Sequence, residues 1–169
     1  MLVRAAVIAG LYAALTLALW FISFGPVQFR VSEALCVLPY FMPEAVPGLF
    51  VGCVISNIFT PNIPALDLVF GSAATLLAAL LTYRIRIKWL APLPPVLINA
   101  VVVGWLIAVS ASRADGAAFW PAFGAGILTV GLGEAAVCYI LGLPLLLMLE
   151  RAGVFNGQRH GYRKSTEKV

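Results

Sequence analysis

The sequence predicts an all-α membrane protein that crosses the bilayer several times. Hydrophobic residues make up 62% of the 169-residue chain and charged residues only 11%, whereas a soluble domain carries about 25% charged residues. The charges also cluster at the ends of long apolar runs, which is typical of membrane-spanning helices. We therefore expect most of the outer surface to face lipid.

Four apolar runs are each long enough to span a bilayer, at about 1.5 Å of rise per helical residue. They cover residues 4–24, 65–83, 92–112 and 117–149. The first is interpreted as a retained helix, because its small residues precede the apolar stretch, whereas a signal-peptidase site would follow it. The last exceeds the length that a bilayer requires, so we expect a tilted or kinked helix with its kink at Pro144.

The segment 26–64 contains six prolines and leaves its structure open. Residues 31–42 and 44–58 form either two short helices around the turn at Pro43 or one interrupted helix. Broken helices at membrane depth are tolerated only where protein or a cavity satisfies their backbone, and they are typical of transporter ligand sites. The polar residues at the start of this segment are therefore not expected to form an ordinary loop.

Basic residues predict the orientation in the membrane. Arg84, Arg86 and Lys88 lie in one loop, and residues 151–169 form a polar, basic tail. The positive-inside rule places both in the cytoplasm. Charge alone fits five spans or six equally well, because only the side on which the N-terminus lies differs. We expect residues 1–150 to form a single transmembrane domain.

Acids and amides within apolar sequence are the main candidates for a binding site, because polar groups are costly in hydrocarbon. Glu134 lies inside the last apolar run beside glycines, so we expect it either to bind a ligand or to form a structural pair with Arg113 or with a polar group of another helix. Asp67 and Glu33 either serve a site or interact with a helix dipole as helix-start carboxylates. Asn99 hydrogen-bonds either another helix or a ligand.

Other features argue against an enzyme. Cys36, Cys53 and Cys138 are isolated, which favours packing over a disulfide or metal site, and His160 has no second ligand nearby. The chain contains no phosphate-binding loop, no HExxH motif and no nucleophile elbow. We expect no catalytic activity, no cofactor, no metal site and no nucleic-acid partner.

The first helix carries small residues at helical spacing on two neighbouring stripes. One stripe contains Ala5, Ala9 and Ala13, and the next contains Ala6, Gly10 and Ala14. Small residues at this spacing allow another helix to approach closely. The neighbouring helix belongs either to this chain or to a partner.

Four ordered blocks of sequence resemble the QueT-type family. They read VQFRVSEALCVLPYF, MPEAVPGLFVGCVISNI, DLVFGSAATLLAALLTY and LAPLPPVLINAVVVG, within a resemblance over residues 4–150. This family comprises substrate-binding S components of energy-coupling factor (ECF) transporters associated with queuosine precursors. The resemblance implies the ECF S-component fold, with six transmembrane helices and both termini cytoplasmic. It also implies a membrane T component and two ATPase subunits as partners, with Ala5, Ala9 and Ala13 meeting the T component.

The resemblance further implies a site near the extracellular side, under the loop that contains Gln28 and Arg30. The expected cargo is a 7-deazaguanine, such as the 7-aminomethyl precursor or queuine. Its donors suit acids and amides, and its flat face suits aromatic side chains. We expect Glu134 to be the principal anchor, with the other members Asn99, Glu33, Asp67, Gln28, Arg30, Trp105, Phe70 and Tyr40. The alternatives are an S component for another small vitamin-like molecule and a structural or assembly membrane protein.

Overall fold

The structure is a computed structural model and describes residues 1–24, 29–59 and 64–155. All regular secondary structure in these ranges is helical. The α-helices are α1 (Leu2–Ala18), α2 (Trp20–Ser23), α3 (Ala45–Asn57), α4 (Pro64–Leu66), α5 (Ser72–Arg84), α6 (Leu93–Asp115), α7 (Phe119–Ala136) and α8 (Leu143–Arg151). Two 3₁₀ helices (Val31–Tyr40 and Lys88–Leu90) and two π-helical segments (Asp67–Gly71 and Val137–Gly142) complete the chain order. Gln28, His160 and nearly all of the basic tail lie outside the described residues.

The proline-rich region folds as two short helices, which is one of the two alternatives that its sequence allowed. The first is the 3₁₀ helix Val31–Tyr40, below called the central helix, and the second is α3. The central helix contacts α1, α3, α5 and the π segment Val137–Gly142. Because neighbours surround it, most of its side chains are buried. It therefore forms the middle of the bundle.

The surrounding helices pack in sequence around the central helix. α1 contacts α3, α3 contacts α5, α5 contacts α6, and α6 contacts α7. Side chains such as Phe21, Trp120 and Leu132 are 85%, 76% and 70% exposed. A continuous apolar exterior of this kind suits lipid contact.

Among the residues that the structure describes, two helices are long and apolar enough to cross a membrane, judged by length and composition alone. They run over Lys88–Ala114 and Phe119–Arg151. α1, the central helix and α3 are apolar but shorter. These features are consistent with a helical membrane protein.

The last helix continues from α7 through a π segment into α8. The π segment Val137–Gly142 ends two residues before Pro144, where we expected a kink. Proline has no backbone N–H to donate to the carbonyl of Ile140, and its ring displaces that carbonyl. The irregular hydrogen bonding before Pro144 has this physical cause.

The small-residue stripe Ala5–Ala9–Ala13 packs inside the chain. A Cβ atom at Gly48 or Gly52 on α3 would lie 2.7 Å from the Ala5 carbonyl oxygen or 2.8 Å from the Ala9 carbonyl oxygen, respectively. Ala9 and Ala13 are buried, and Ala5 is half-buried. α3 therefore already covers this stripe, and its expected contact with a partner stays a prediction.

The neighbouring stripe of α1 remains on the outside. Ala6, Gly10 and Ala14 are exposed, and a Cβ atom at Gly10 would meet no atom within 4 Å. α1 thus uses one small-residue stripe for internal packing and leaves the second accessible.

Candidate ligand-binding site

A cluster of buried polar side chains surrounds the central helix. Its members come from several helices and are at most 6% exposed: Thr16, Arg30, Ser32, Glu33, Ser56, Asn57, Asp67, Ser72, Thr75, Asn99 and Glu134. Polar groups in an apolar interior are costly unless they are hydrogen-bonded. This cluster is therefore the candidate site for a polar ligand.

Glu33 points into the bundle from the first turn of the central helix. Its carboxylate accepts a hydrogen bond from the Tyr12 hydroxyl on α1, and the Cys36 thiol donates to it with sulfur and oxygen 2.8 Å apart. The helix has no side-chain hydrogen bond at its N-terminal cap. Glu33 therefore does not act as a capping carboxylate, and its side chain belongs to the cluster.

Glu134 and Asn99 meet between α7 and α6, as the sequence led us to expect. The Asn99 amide nitrogen donates to Glu134 Oε1 over 3.2 Å. Arg113, the alternative partner, is exposed, and none of the ion pairs among the described residues includes it. Glu134 thus has a neutral partner on a neighbouring helix.

Cys138 connects the two acids. Its sulfur lies 3.8 Å from Glu134 Oε2 and 3.8 Å from the backbone carbonyl oxygen of Glu33. The Cys138 thiol therefore lies beside both the Glu134 carboxylate and the backbone of Glu33 on the central helix. Oxygen acceptors at this position suit the ring N–H and amino donors of a nitrogen heterocycle.

Asn57 is the centre of a second group of hydrogen-bonded residues in the cluster, below called the Arg30 half. Its Oδ1 accepts from Arg30 Nη2 over 3.2 Å, and its Nδ2 lies 3.0 Å from the Asp67 carbonyl oxygen and 3.3 Å from Ser72 Oγ. Cys53 accepts a contact of 3.2 Å from the Thr75 hydroxyl. These bonds join the start of the central helix, α3 and α5.

Asp67 is 6% exposed and begins the π segment Asp67–Gly71. Its backbone carbonyl binds Asn57, and its carboxylate interacts electrostatically with Arg30. π-helical turns occur frequently at functional sites. Asp67 thus belongs to the Arg30 half of the cluster.

The aromatic residues that we expected to stack on a ligand do not lie together in the structure. Phe70 and Trp105 pack edge-to-face on each other with ring centroids 5.4 Å apart, and Phe70 is 43% exposed. Tyr40 is the last residue of the central helix, and its hydroxyl donates to the carbonyl oxygen of Arg86. At about 2 Å of rise per residue, its backbone lies roughly 14 Å along the helix from that of Glu33. Tyr40 is therefore too distant to stack on a ligand held by Glu33.

The three cysteines are buried and free, and Cys36 and Cys53 pack in the hydrophobic core. Cys36, Cys53 and Cys138 also contact the polar cluster, which the sequence analysis did not predict. Each also lies three or four residues from an acid or amide on its own helix, namely Glu33, Asn57 and Glu134. That spacing places two side chains on one helix face, and it is the signal that could have identified them.

Comparison with known proteins shows the family to which the chain belongs. The pattern of the QueT transporter family matches residues 2–151. The chain belongs to the QueT transporter family. We therefore assign it to a family of membrane transporters, in agreement with its helical structure and apolar exterior.

A relative in Lactococcus lactis subsp. cremoris (strain MG1363) is described as "Queuosine precursor transporter QueT". It is 38% identical over 77 residues, which cover 44% of this chain and 44% of the relative. The alignment thus spans less than half the length of that QueT protein. No solved structure matches the chain.

Proposed function

We propose that this chain is the substrate-binding S component of an ECF-type uptake transporter, and that it binds a 7-deazaguanine precursor of queuosine. The family match over residues 2–151 and the name of the lactococcal relative support the class of cargo. The Glu134–Asn99 pair in the bundle interior carries the proposal structurally. A carboxylate beside an amide suits the ring N–H and amino group of a guanine-like base.

Charge in the cluster favours the 7-aminomethyl form among the possible cargoes. Glu33, Asp67 and Glu134 are three buried acids, and Arg30 is the one buried base among the described residues. A buried charge is costly unless it is paired. The ammonium of an aminomethyl group would pair with one of these acids. Glu33, whose hydrogen-bond donors Tyr12 and Cys36 are uncharged, is the proposed partner.

The proposed topology has six membrane-spanning helices with both termini in the cytoplasm and the site near the extracellular side. The central helix and α3 would then be two short spans whose backbone is satisfied by the surrounding protein. A membrane T component and two ATPase subunits would supply energy. The exposed stripe Ala6–Gly10–Ala14 is the proposed contact with the T component, because α3 covers the neighbouring stripe Ala5–Ala9–Ala13.

Binding by the purified chain tests the cargo. Isothermal titration calorimetry in detergent with 7-aminomethyl-7-deazaguanine should give saturable binding, and guanine, which lacks the aminomethyl group, should bind more weakly. Equal affinity for both compounds would contradict the role of Glu33, and no binding of either would contradict the cargo class.

Uptake tests the transporter role separately. Cells that cannot make queuosine should accumulate labelled 7-aminomethyl-7-deazaguanine when they express this chain with an ECF module. Cells that express the module alone are the control. Equal accumulation in both would show that the chain does not transport this compound.

A further inference from the structure

Arg30 is a buried cation whose hydrogen bonds are incomplete. It is 5% exposed; Nη2 lies 3.2 Å from Asn57 Oδ1 and Nη1 lies 3.9 Å from the Cys53 sulfur. Nε has no hydrogen-bond partner. Across residues 1–24, 29–59 and 64–155, the ion pairs do not include Arg30. A guanidinium has five N–H donors, and here only uncharged partners meet two of its nitrogens.

The surroundings of Arg30 hold its guanidinium in place. The Phe24 ring centroid lies 5.1 Å from Arg30 Cζ, within the range of a cation–π contact. Asn57, which accepts from Nη2, is itself fixed by the Asp67 carbonyl oxygen and Ser72. These contacts therefore fix the position of the guanidinium and leave its Nε–H free to donate to a ligand.

A second unpartnered polar group belongs to the same part of the chain. Ser23 is fully buried and its hydroxyl has no hydrogen-bond partner. The Phe29 amide donates to the Ile22 carbonyl oxygen over 3.0 Å, which brings the two ends of this loop together. Ser23 follows Ile22 in the chain and Arg30 follows Phe29, so the backbones of Ser23 and Arg30 lie near each other.

We infer that Arg30 Nε donates a hydrogen bond to the ring carbonyl oxygen of the ligand. This inference rests on the proposed function and adds the orientation of the base in the site. The Glu33 amide donates to the Arg30 carbonyl oxygen over 2.8 Å, and the Cys138 sulfur lies 3.8 Å from both the Glu33 carbonyl oxygen and Glu134 Oε2. Arg30 and Glu134 therefore border the same end of the central helix. In a 7-deazaguanine the carbonyl adjoins the ring N–H and amino donors. Glu134 accepts from those donors while Arg30 binds the neighbouring oxygen.

A ligand with one altered atom tests this contact. The thione analogue of 7-aminomethyl-7-deazaguanine replaces the carbonyl oxygen with sulfur, which is a weaker acceptor, and keeps the ring N–H and both amino groups. The native chain should bind the thione about tenfold more weakly, within the range of one hydrogen bond to a charged group. In Arg30→Met, which lacks the donors, the ratio of the two dissociation constants should fall close to one.

Two further variants make the result specific. Arg113→Met removes an exposed arginine and should keep the native ratio. Arg30→Lys keeps a charged donor and should restore part of the preference. Thermal unfolding of each variant confirms that the protein measured is folded.

The outcomes separate this inference from the proposed function. Equal binding of both compounds by the native chain overturns the Arg30 contact and leaves the cargo assignment intact. An unchanged preference in Arg30→Met also overturns it, since sulfur would then be rejected for its size. If Arg30→Met does not fold, the native ratio and Arg30→Lys decide the question. Failure of both compounds to bind overturns both proposals.

Discussion

The hydroxyl of Tyr12 on α1 donates a hydrogen bond to the carboxylate of Glu33 on the central helix, and both side chains are fully buried. One turn later on α1, Thr16 Oγ1 donates to the Tyr12 carbonyl oxygen over 2.9 Å. Its single proton is thereby used, so Ser32 is the donor in the 2.7 Å contact between Thr16 and Ser32. α1 thus holds the first turn of the central helix through two side-chain hydrogen bonds.

Removal of the Tyr12 hydroxyl should destabilise the chain through Glu33. Tyr12→Phe keeps the ring and leaves a buried carboxylate without one donor, which we expect to lower the free energy of unfolding by about 1.5–3 kcal/mol. Unfolding in detergent measures this loss. In a Glu33→Gln background the loss should shrink, since the acceptor is then uncharged.

Tyr40→Phe is the matched control for Tyr12→Phe. Tyr40 is also buried, with 6% of its surface exposed, but its hydroxyl donates to the backbone carbonyl of Arg86. Its loss should not depend on Glu33→Gln. If the two tyrosine variants respond alike to Glu33→Gln, the Tyr12–Glu33 bond is not the source of the effect.

The contact between α1 and α3 should not tolerate a methyl group. A Cβ atom at Gly52 would lie 2.8 Å from the Ala9 carbonyl oxygen and 2.8 Å from Tyr12 Cβ. We expect Gly52→Ala to cost about 1–3 kcal/mol in the free energy of unfolding, because the two helices must separate. Gly10→Ala, on the open face of α1, should instead stabilise by about 0.5–1 kcal/mol. The opposite order of stability would show that α1 and α3 are not packed this way.

The two faces of α1 should separate folding from transport. Ala9→Leu fills the contact with α3 and should destabilise the chain by about 1–3 kcal/mol. Ala6→Leu lies on the exposed stripe, so we expect it to change stability by less than about 0.5 kcal/mol. It should nevertheless reduce uptake in the presence of the ECF module while ligand binding by the isolated chain is unchanged. Normal uptake by Ala6→Leu would exclude this stripe as the T-component contact.

The sequence predicted the elements of the fold better than the directions in which their side chains face. The apolar runs 65–83, 92–112 and 117–149 match helices in the structure, and the break near Pro43 is present. The two small-residue stripes of α1 look equivalent in sequence. Gly48 and Gly52, far along the chain, decide which stripe is buried, and no local pattern contains that information.

Only part of the candidate site was predicted, because its other contacts join residues that are far apart in the chain. Glu134 and Asn99 were singled out because each is a polar residue inside an apolar run, and the structure joins them. Tyr12 was missed because an isolated tyrosine in an apolar helix shows no local sign of its partner. Tyr40 was included as an aromatic side chain that could stack on the flat base, but the 3₁₀ rise of about 2 Å per residue places it at the other end of the central helix from Glu33.

Glu134→Gln should reveal whether the carboxylate anchors the ligand or only supports the bundle. The substitution keeps the shape of the side chain and an oxygen that Asn99 can still bind, but it removes the charge. Loss of one partner of a buried, charge-assisted pair costs about 2–5 kcal/mol, on the order of thirty- to several-thousand-fold in affinity. Calorimetry with 7-aminomethyl-7-deazaguanine should show this loss, whereas Glu150→Gln, which breaks a half-exposed 3.0 Å ion pair with Lys88, should leave affinity unchanged. Thermal unfolding of the same samples separates the two roles, because native affinity with a lowered melting temperature would make Glu134 a structural residue.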